Sequence, residues 1–183
     1  MYATDEFIGV RPSETYKFVI FTCPVGAYYS KPVSVWIEKD YKRAFPGGTG
    51  AATAAGNYGA TLYPASLVNE KGYDQILWTD GHESKYVEEA GTMNIFFRVG
   101  DKLITAPTSD RILDGVTRKS IIKLAEDLGI TCEVRQVTVE EIKNAAKDGS
   151  LKEIFGAGTA AVISPISAFE HQGELFEISG TDA

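Results

Sequence analysis

A chain of 183 residues with 44% apolar and 23% charged side chains has the make-up of one folded domain, or one domain plus a piece of another, and excludes a disordered chain. Its 25 acidic against 18 basic residues give a net charge of −7, and Lys and Arg are scattered apart from Arg118-Lys119, which argues against a nucleic-acid partner. Cys23 and Cys132 lie far apart without metal-ligand spacing, and no apolar stretch approaches a membrane span, so we expect a cytoplasmic protein with two reduced, buried cysteines, no membrane association and no metal.

In chain order, residues 1–15 are polar, are broken by Gly9 and Arg11-Pro12-Ser13, and lack the basic start and apolar block of a secretory signal. Residues 16–23 are β-branched and aromatic and bounded by Pro24 and Gly26, which predicts a strand, with residues 25–30 as a linker. Residues 33–38 alternate apolar and polar and predict the first strand of the main domain. A charged connector then leads into a glycine-rich run. A helix is expected from Asn57 through Val68, stopped by Lys71-Gly72, with Pro64 kinking it or marking a late start. Strands follow at 74–78, 85–89 and 93–99, the last joined to 102–105 by a two-residue turn at Gly100-Asp101. The clearest helix, 117–128, carries Ile121, Ile122, Leu124, Ala125 and Leu128 on its apolar face and Gly129 as its stop. Residues 131–137 predict a strand, and Thr138-Val139-Glu140-Glu141 is a capping box opening a short helix that ends near Gly149. A second Gly/Thr turn follows Phe155, then a strand at 160–163 and a hairpin through His171-Gln172-Gly173. His82 and His171 are expected at the surface. Strands outnumber helices without regular alternation, so the expected class is α+β (mixed α/β).

Four stretches could carry chemistry. The run Gly47-Gly48-Thr49-Gly50-Ala51-Ala52-Thr53-Ala54-Ala55-Gly56-Asn57-Tyr58-Gly59 is either a flexible loop or a place where backbone approaches something closely. Its Gly48-x-Gly50 lacks the third glycine of a dinucleotide fingerprint. Glu89, opposite Glu88 by strand alternation, is either a solvated edge residue or a buried carboxylate in need of a cation. Gly115-Val116-Thr117 opens the strongest helix, whose first N–H groups lack intrahelical acceptors. It is either an anion site with the Thr117 hydroxyl as a further donor or an ordinary Thr N-cap. Gly158-Thr159-Ala160 is a second turn with free backbone donors and a hydroxyl.

Taken in order, the glycine run, Glu89-Ala90-Gly91-Thr92-Met93-Asn94, Leu113-Asp114-Gly115-Val116-Thr117-Arg118 and Gly156-Ala157-Gly158-Thr159-Ala160-Ala161 resemble the branched-chain aminotransferases, pyridoxal-phosphate enzymes of fold type IV. The resemblance implies the family's large domain, β-rich with a pseudo-barrel and flanking helices. It also implies reversible amino-group transfer between Leu, Ile or Val and 2-oxoglutarate by a homodimer. By the same resemblance Glu89 faces the pyridine nitrogen, Tyr58 places a phenol beside the imine position, and Leu113 contacts the ring, where simple core packing is the alternative. Val116 and Thr117 hold the phosphate; Thr159 and Ala160 serve phosphate and substrate carboxylate; Thr92 offers a substrate-side hydroxyl. Thr53 stands where the family's run carries the lysine that bonds the cofactor, and no lysine occurs between Lys42 and Lys71. Weak or non-covalent cofactor binding and impaired transfer are therefore expected. The resemblance also makes residues 1–30 the remnant of a smaller N-terminal domain plus linker, and 31–183 a pyridoxal-phosphate-binding domain cut short at its C-terminus. Two further readings stay open: a non-catalytic fragment or ligand-binding relative, and another fold type IV enzyme such as a D-amino acid aminotransferase or aminodeoxychorismate lyase.

Overall fold

Strand β3 (Val33–Ile37) sets the arrangement, because its alternation sends Val33, Val35 and Ile37 into the core and leaves Ser34 and Trp36 on the other face. The computed structural model describes residues 1–24, 26 and 28–178. Strand β3 runs parallel to β4 (Gln75–Thr79) and to β10 (Val162–His171). Strand β4 continues antiparallel into β5 (Val87–Ala90) and β6 (Met93–Val99), and β6 pairs antiparallel with β9 (Leu151–Gly158). Strand β9 then returns to β10, so β3, β4, β5, β6, β9 and β10 close into a ring. Closure removes the open edges that such a sheet would otherwise present. Strands β7 (Lys102–Thr105) and β8 (Cys132–Val134) extend outward from β6, and β11 (Glu174–Glu177) pairs with β10. The result is the α+β, barrel-like class that the sequence predicts.

The main core fills this ring, with Val35, Leu77, Ile95, Phe97, Ile166 and Phe169 fully buried. Helix α1 (Ala55–Glu70) covers the outer face of β4, where Val68 packs with Ile76 and Trp78, and Trp36 and Tyr73 rest against them. Pro64 lies inside α1 on this buried face, and the helix begins well before it, at Ala55. Helix α2 (Val116–Asp127) and helix α3 (Val139–Lys147) complete the domain, and the Thr138 hydroxyl of α3 accepts from the Glu141 amide as the capping box requires.

Several expectations are corrected. Of residues 16–23 only β2 (Tyr16–Lys17) forms, paired with β1 (Tyr2–Ala3), while Phe18, Ile20 and Phe21 stand exposed with no sheet to join. Two residues of the predicted linker, Val25 and Ala27, lie outside the described residues. Helix α2 buries Ala125 and half-buries Ile121 and Ile122, but Leu124 and Leu128 face solvent. Strand β9 was not foreseen, and the turn after it spans 159–161, so the strand expected at 160–163 starts at Val162. Cys23 is exposed and Cys132 half-buried, and His171 is half-buried rather than at the surface. His82 is exposed as expected.

The glycine run is not a loose loop. The Asn57 side-chain amide donates to the Thr49 and Ala52 carbonyls, each at 2.7 Å, and the Thr49 hydroxyl donates back to Asn57 Oδ1 at 2.7 Å. The Ala51 amide donates to the Asp110 carbonyl at 2.9 Å. A Cβ on Gly50 would sit 2.7 Å from the Arg111 carbonyl oxygen and 2.6 Å from the Ala44 methyl, so the close approach of two loops depends on this glycine. Gly50→Ala should therefore destabilise the fold by about 1–3 kcal/mol. Gly59→Ala, in α1 with nothing within 4 Å of the added methyl, should stabilise it by about 0.5–1 kcal/mol. Urea denaturation of both variants checks the pair, and equal or inverted effects would contradict this packing.

Candidate active site

Every site residue predicted from the sequence lines one cavity of about 210 Å³. Thr53 enters from the middle of the glycine run, just ahead of α1, and Tyr58 from the first turns of α1. Glu89 comes from β5, Thr92 from the turn between β5 and β6, and Leu113 from the loop ahead of α2. Val116 and Thr117 are the first residues of α2, and Thr159 and Ala160 belong to the turn between β9 and β10. Thr53, Thr92, Val116, Thr159 and Ala160 are partly or fully exposed around the rim, whereas Glu89 is 3% exposed. The cavity thus has a polar, open mouth and a buried carboxylate inside it.

Glu89 is neither at an edge nor solvated, because β5 lies between β4 and β6. Its Oε1 accepts from the Leu113 amide at 3.0 Å and from the Asn94 side-chain amide at 3.2 Å. Its Oε2 lies 3.0 Å from the Arg43 guanidinium. Burial raises the carboxyl from 4.5 to about 7, against the lowering effects of Arg43 and of the Leu113 amide. Glu88 points the other way and pairs with Arg111 at 2.5 Å. The turn between β5 and β6 is held by Trp78, whose indole N–H donates to the Gly91 carbonyl at 3.0 Å.

Residue Gly115 is the N-cap of α2, and no side chain caps this end. Thr117 is therefore not the cap, and the Val116 and Thr117 amides face the cavity without intrahelical acceptors. The residues at 158–160 line the same cavity, so two segments that carry backbone donors and a threonine hydroxyl border one volume. Gly115 itself must lack a side chain, since a methyl there would run into the Asn94 amide oxygen.

Two residues of the site escaped the sequence reading, Arg43 and Asn94. Arg43 lines a smaller recess that shares Thr53, Tyr58, Glu89, Thr92 and Leu113 with the main cavity. Asn94 ties Glu89 to the Leu113 carbonyl, to which it donates at 2.9 Å. The requirement of a buried glutamate for a cation was a usable signal for Arg43; Asn94, one polar residue in a buried strand, gave none.

The donor set matches a ligand with a cationic ring nitrogen at one end and a phosphate at the other. It does not match a covalent imine, because no lysine is among the described residues lining the cavity, and Thr53 offers only a hydroxyl.

A family model described as amino-transferase class IV matches residues 4–169. The chain is 47% identical over its full length to a probable branched-chain-amino-acid aminotransferase of Staphylococcus epidermidis, covering 52% of that protein. It is 45% identical over 97% of its length to branched-chain-amino-acid aminotransferase 2 of Bacillus subtilis, covering 50% of that protein. The chain thus spans about half the length of the curated relatives it matches. Among solved structures, the branched-chain aminotransferase of Thermoproteus uzoniensis with norvaline superimposes with a TM-score of 0.71 at 29% identity, over 83% of this chain and 50% of that one. The branched-chain amino acid aminotransferase of Thermobaculum terrenum in its PLP-form (holo-form) gives 0.64 at 27% identity, over 76% of this chain and 43% of that one.

The buried carboxyl makes stability depend on pH. Its folded value lies above its unfolded one, so its contribution is intact below about pH 4.5 and is lost as pH rises through about 7. The loss amounts to about 3 kcal/mol once Glu89 is charged, at 1.36 kcal/mol per pH unit of difference. Glu89→Gln, which mimics the protonated acid, should gain on the parent by about that much between pH 4 and pH 8 in urea unfolding. Parallel profiles for the two proteins would contradict the burial of this charge.

Proposed function

The chain belongs to the class IV amino-transferases, and on that premise we propose that its cavity is the pyridoxal-phosphate site of a branched-chain aminotransferase scaffold, held here without a covalent bond to the cofactor. The observation that carries the reading is the convergence of Glu89, the α2 amino end and the 158–160 turn on one cavity beside Thr53. When bound, pyridoxal phosphate supplies an electron sink for the bonds of an amino acid's α-carbon. The chain's own residues then have separate tasks. The Glu89 carboxylate holds a proton on the ring nitrogen, Leu113 packs against the ring, and Val116, Thr117 and Thr159 take the phosphate. Tyr58 and Thr92 stand on the substrate side, and the turn at Thr159-Ala160 meets the substrate carboxylate.

The substrates of such a scaffold are Leu, Ile or Val and 2-oxoglutarate. Transfer also needs a base at the α-carbon, and Thr53 is a very weak one at neutral pH. A positioned proton-transfer group is worth about 10²–10⁴-fold, so the chain as written should bind more readily than it turns over. The proposal includes a homodimer acting in the cytoplasm, supported by the apolar Leu62 and Tyr63 left exposed on α1. No helix among the described residues is long and apolar enough to cross a membrane. It also takes residues 31–183 as the cofactor-binding domain and 1–30 as the end of a smaller domain with its linker, supported by β1 and β2 sharing no pairing with the closed sheet.

Two substitutions test the reading. Borohydride treatment with pyridoxal phosphate should leave residue 53 unmodified in the chain as written and should fix the cofactor at that position in Thr53→Lys, as located by peptide mass spectrometry. Replacing Thr117 and Thr159 together by Val should weaken phosphate-bearing vitamers and leave unphosphorylated pyridoxamine unaffected. Labelling of Thr53→Lys elsewhere only, or equal loss for both vitamers, would overturn the assignment.

A further inference from the structure

Counting acceptor sites around Glu89 singles out Arg43. A carboxylate offers about four lone-pair positions. Oε1 uses two, for the Leu113 amide and the Asn94 amide, whereas Oε2 stands 3.0 Å from the Arg43 guanidinium as an ion pair and accepts no hydrogen bond among the described residues. The open acceptor positions are therefore on Oε2, the oxygen that the Arg43 charge faces. The same Arg43 nitrogen donates to the Gly50 carbonyl at 3.2 Å and to the Arg111 carbonyl. Arg43 thus joins the glycine run, the loop that carries Leu113, and the carboxylate of β5, with its own side chain 10% exposed. Its Nε is buried and has no partner, so the guanidinium is placed here at a cost that surface solvation does not offset.

Among the described residues, the remaining neighbours of Glu89 bring no second cation. Strand β4 places the uncharged Trp78 opposite it, β6 contributes Asn94, and the loop before α2 contributes the Leu113 amide. Glu88, on the same strand, is an adverse charge turned away onto Arg111. We propose that Arg43 is the positioning residue of this site: it holds Oε2 by its charge so that an open acceptor position of Glu89 is offered to a ring N–H, and it favours the ionised carboxylate that receives one. This rests on the proposed cofactor reading for the identity of the ring, but the action of Arg43 on Glu89 belongs to the ligand-free chain.

Carbon-13 NMR of the glutamate carboxyls, with Glu89 assigned through Glu89→Gln, reads that action directly. An opposite charge at this distance shifts a carboxyl by about 1–3 pH units. The Glu89 midpoint should therefore rise by that amount in Arg43→Gln and by clearly less in Arg43→Lys, which keeps the charge. In the unsubstituted protein the Arg43 guanidinium signals should shift with the Glu89 midpoint, a measurement that does not depend on any variant folding. An unmoved midpoint in folded Arg43→Gln, or Arg43 signals that ignore the Glu89 titration, would overturn the proposal. With ring-¹⁵N pyridoxamine 5′-phosphate bound, the nitrogen should read as protonated in the parent and shift toward the neutral form in Arg43→Gln. Failure of this vitamer to bind at all would count against the proposed function, while the ligand-free titration still decides the role of Arg43.

Discussion

The structure turns on one buried negative charge. A carboxylate buried on the outer face of a closed β ring, the face it shares with Trp78, is costly unless partners surround it, and three reach Glu89 from separate segments: the Arg43 charge, the Asn94 side-chain amide and the Leu113 amide. Satisfying Glu89 therefore fixes the connector before α1 and the loop before α2 relative to β5. The same loop ends at Gly115, where α2 begins, so the arrangement that holds the carboxylate also aims the helix amino end into the cavity. The fold does not fully offset the burial, and the carboxyl stays raised to about 7. An apolar cavity would be easier to build; a poised acid is useful only to a ligand that brings a cation.

Thr53 separates two properties that a lysine at this position would combine. In the proposed reading, recognition of ring and phosphate falls to Glu89, to the amino end of α2 and to the 158–160 turn, none of which involves residue 53. Covalent capture and proton transfer at the α-carbon depend on an amine there. The described cavity carries the first set of groups and no lysine for the second, so the proposal separates affinity from turnover within one scaffold. Asn57 still pins the 49–52 segment to α1, and Thr53 directly after it lines the cavity wall.

Much of this was legible in the sequence because the site residues sit in ordered glycine-rich motifs, whose backbone demands are local. Gly115-Val116-Thr117 and Gly158-Thr159-Ala160 are each recognisable as donor-rich turns from residue types alone, and both reach the cavity. Strands β4 to β7 and helix α3 were readable from alternation and capping for the same local reason. What was missed is non-local. Strand β9 closes the ring, but its Gly156 and Gly158 resemble a turn, and only pairing with both β6 and β10 makes it a strand. Residues 16–23 show the reverse: strong strand propensity without a pairing partner leaves Phe18 and Phe21 in solvent. Arg43 sits in a charged connector that gives no sign that its side chain turns inward, and Asn94 stands alone among the buried, otherwise apolar residues 93–97 of β6.

Equilibrium titration of pyridoxamine 5′-phosphate into the chain and into Glu89→Gln at neutral pH tests the central claim most directly. This vitamer needs no lysine, so its affinity reports the cavity alone. A charged hydrogen bond is worth about 1.5–3 kcal/mol, which corresponds to a loss of about tenfold or more in affinity. The account predicts saturable one-to-one binding to the parent and that loss in Glu89→Gln. Equal affinity in the two proteins, or no saturable binding to the parent, would contradict it.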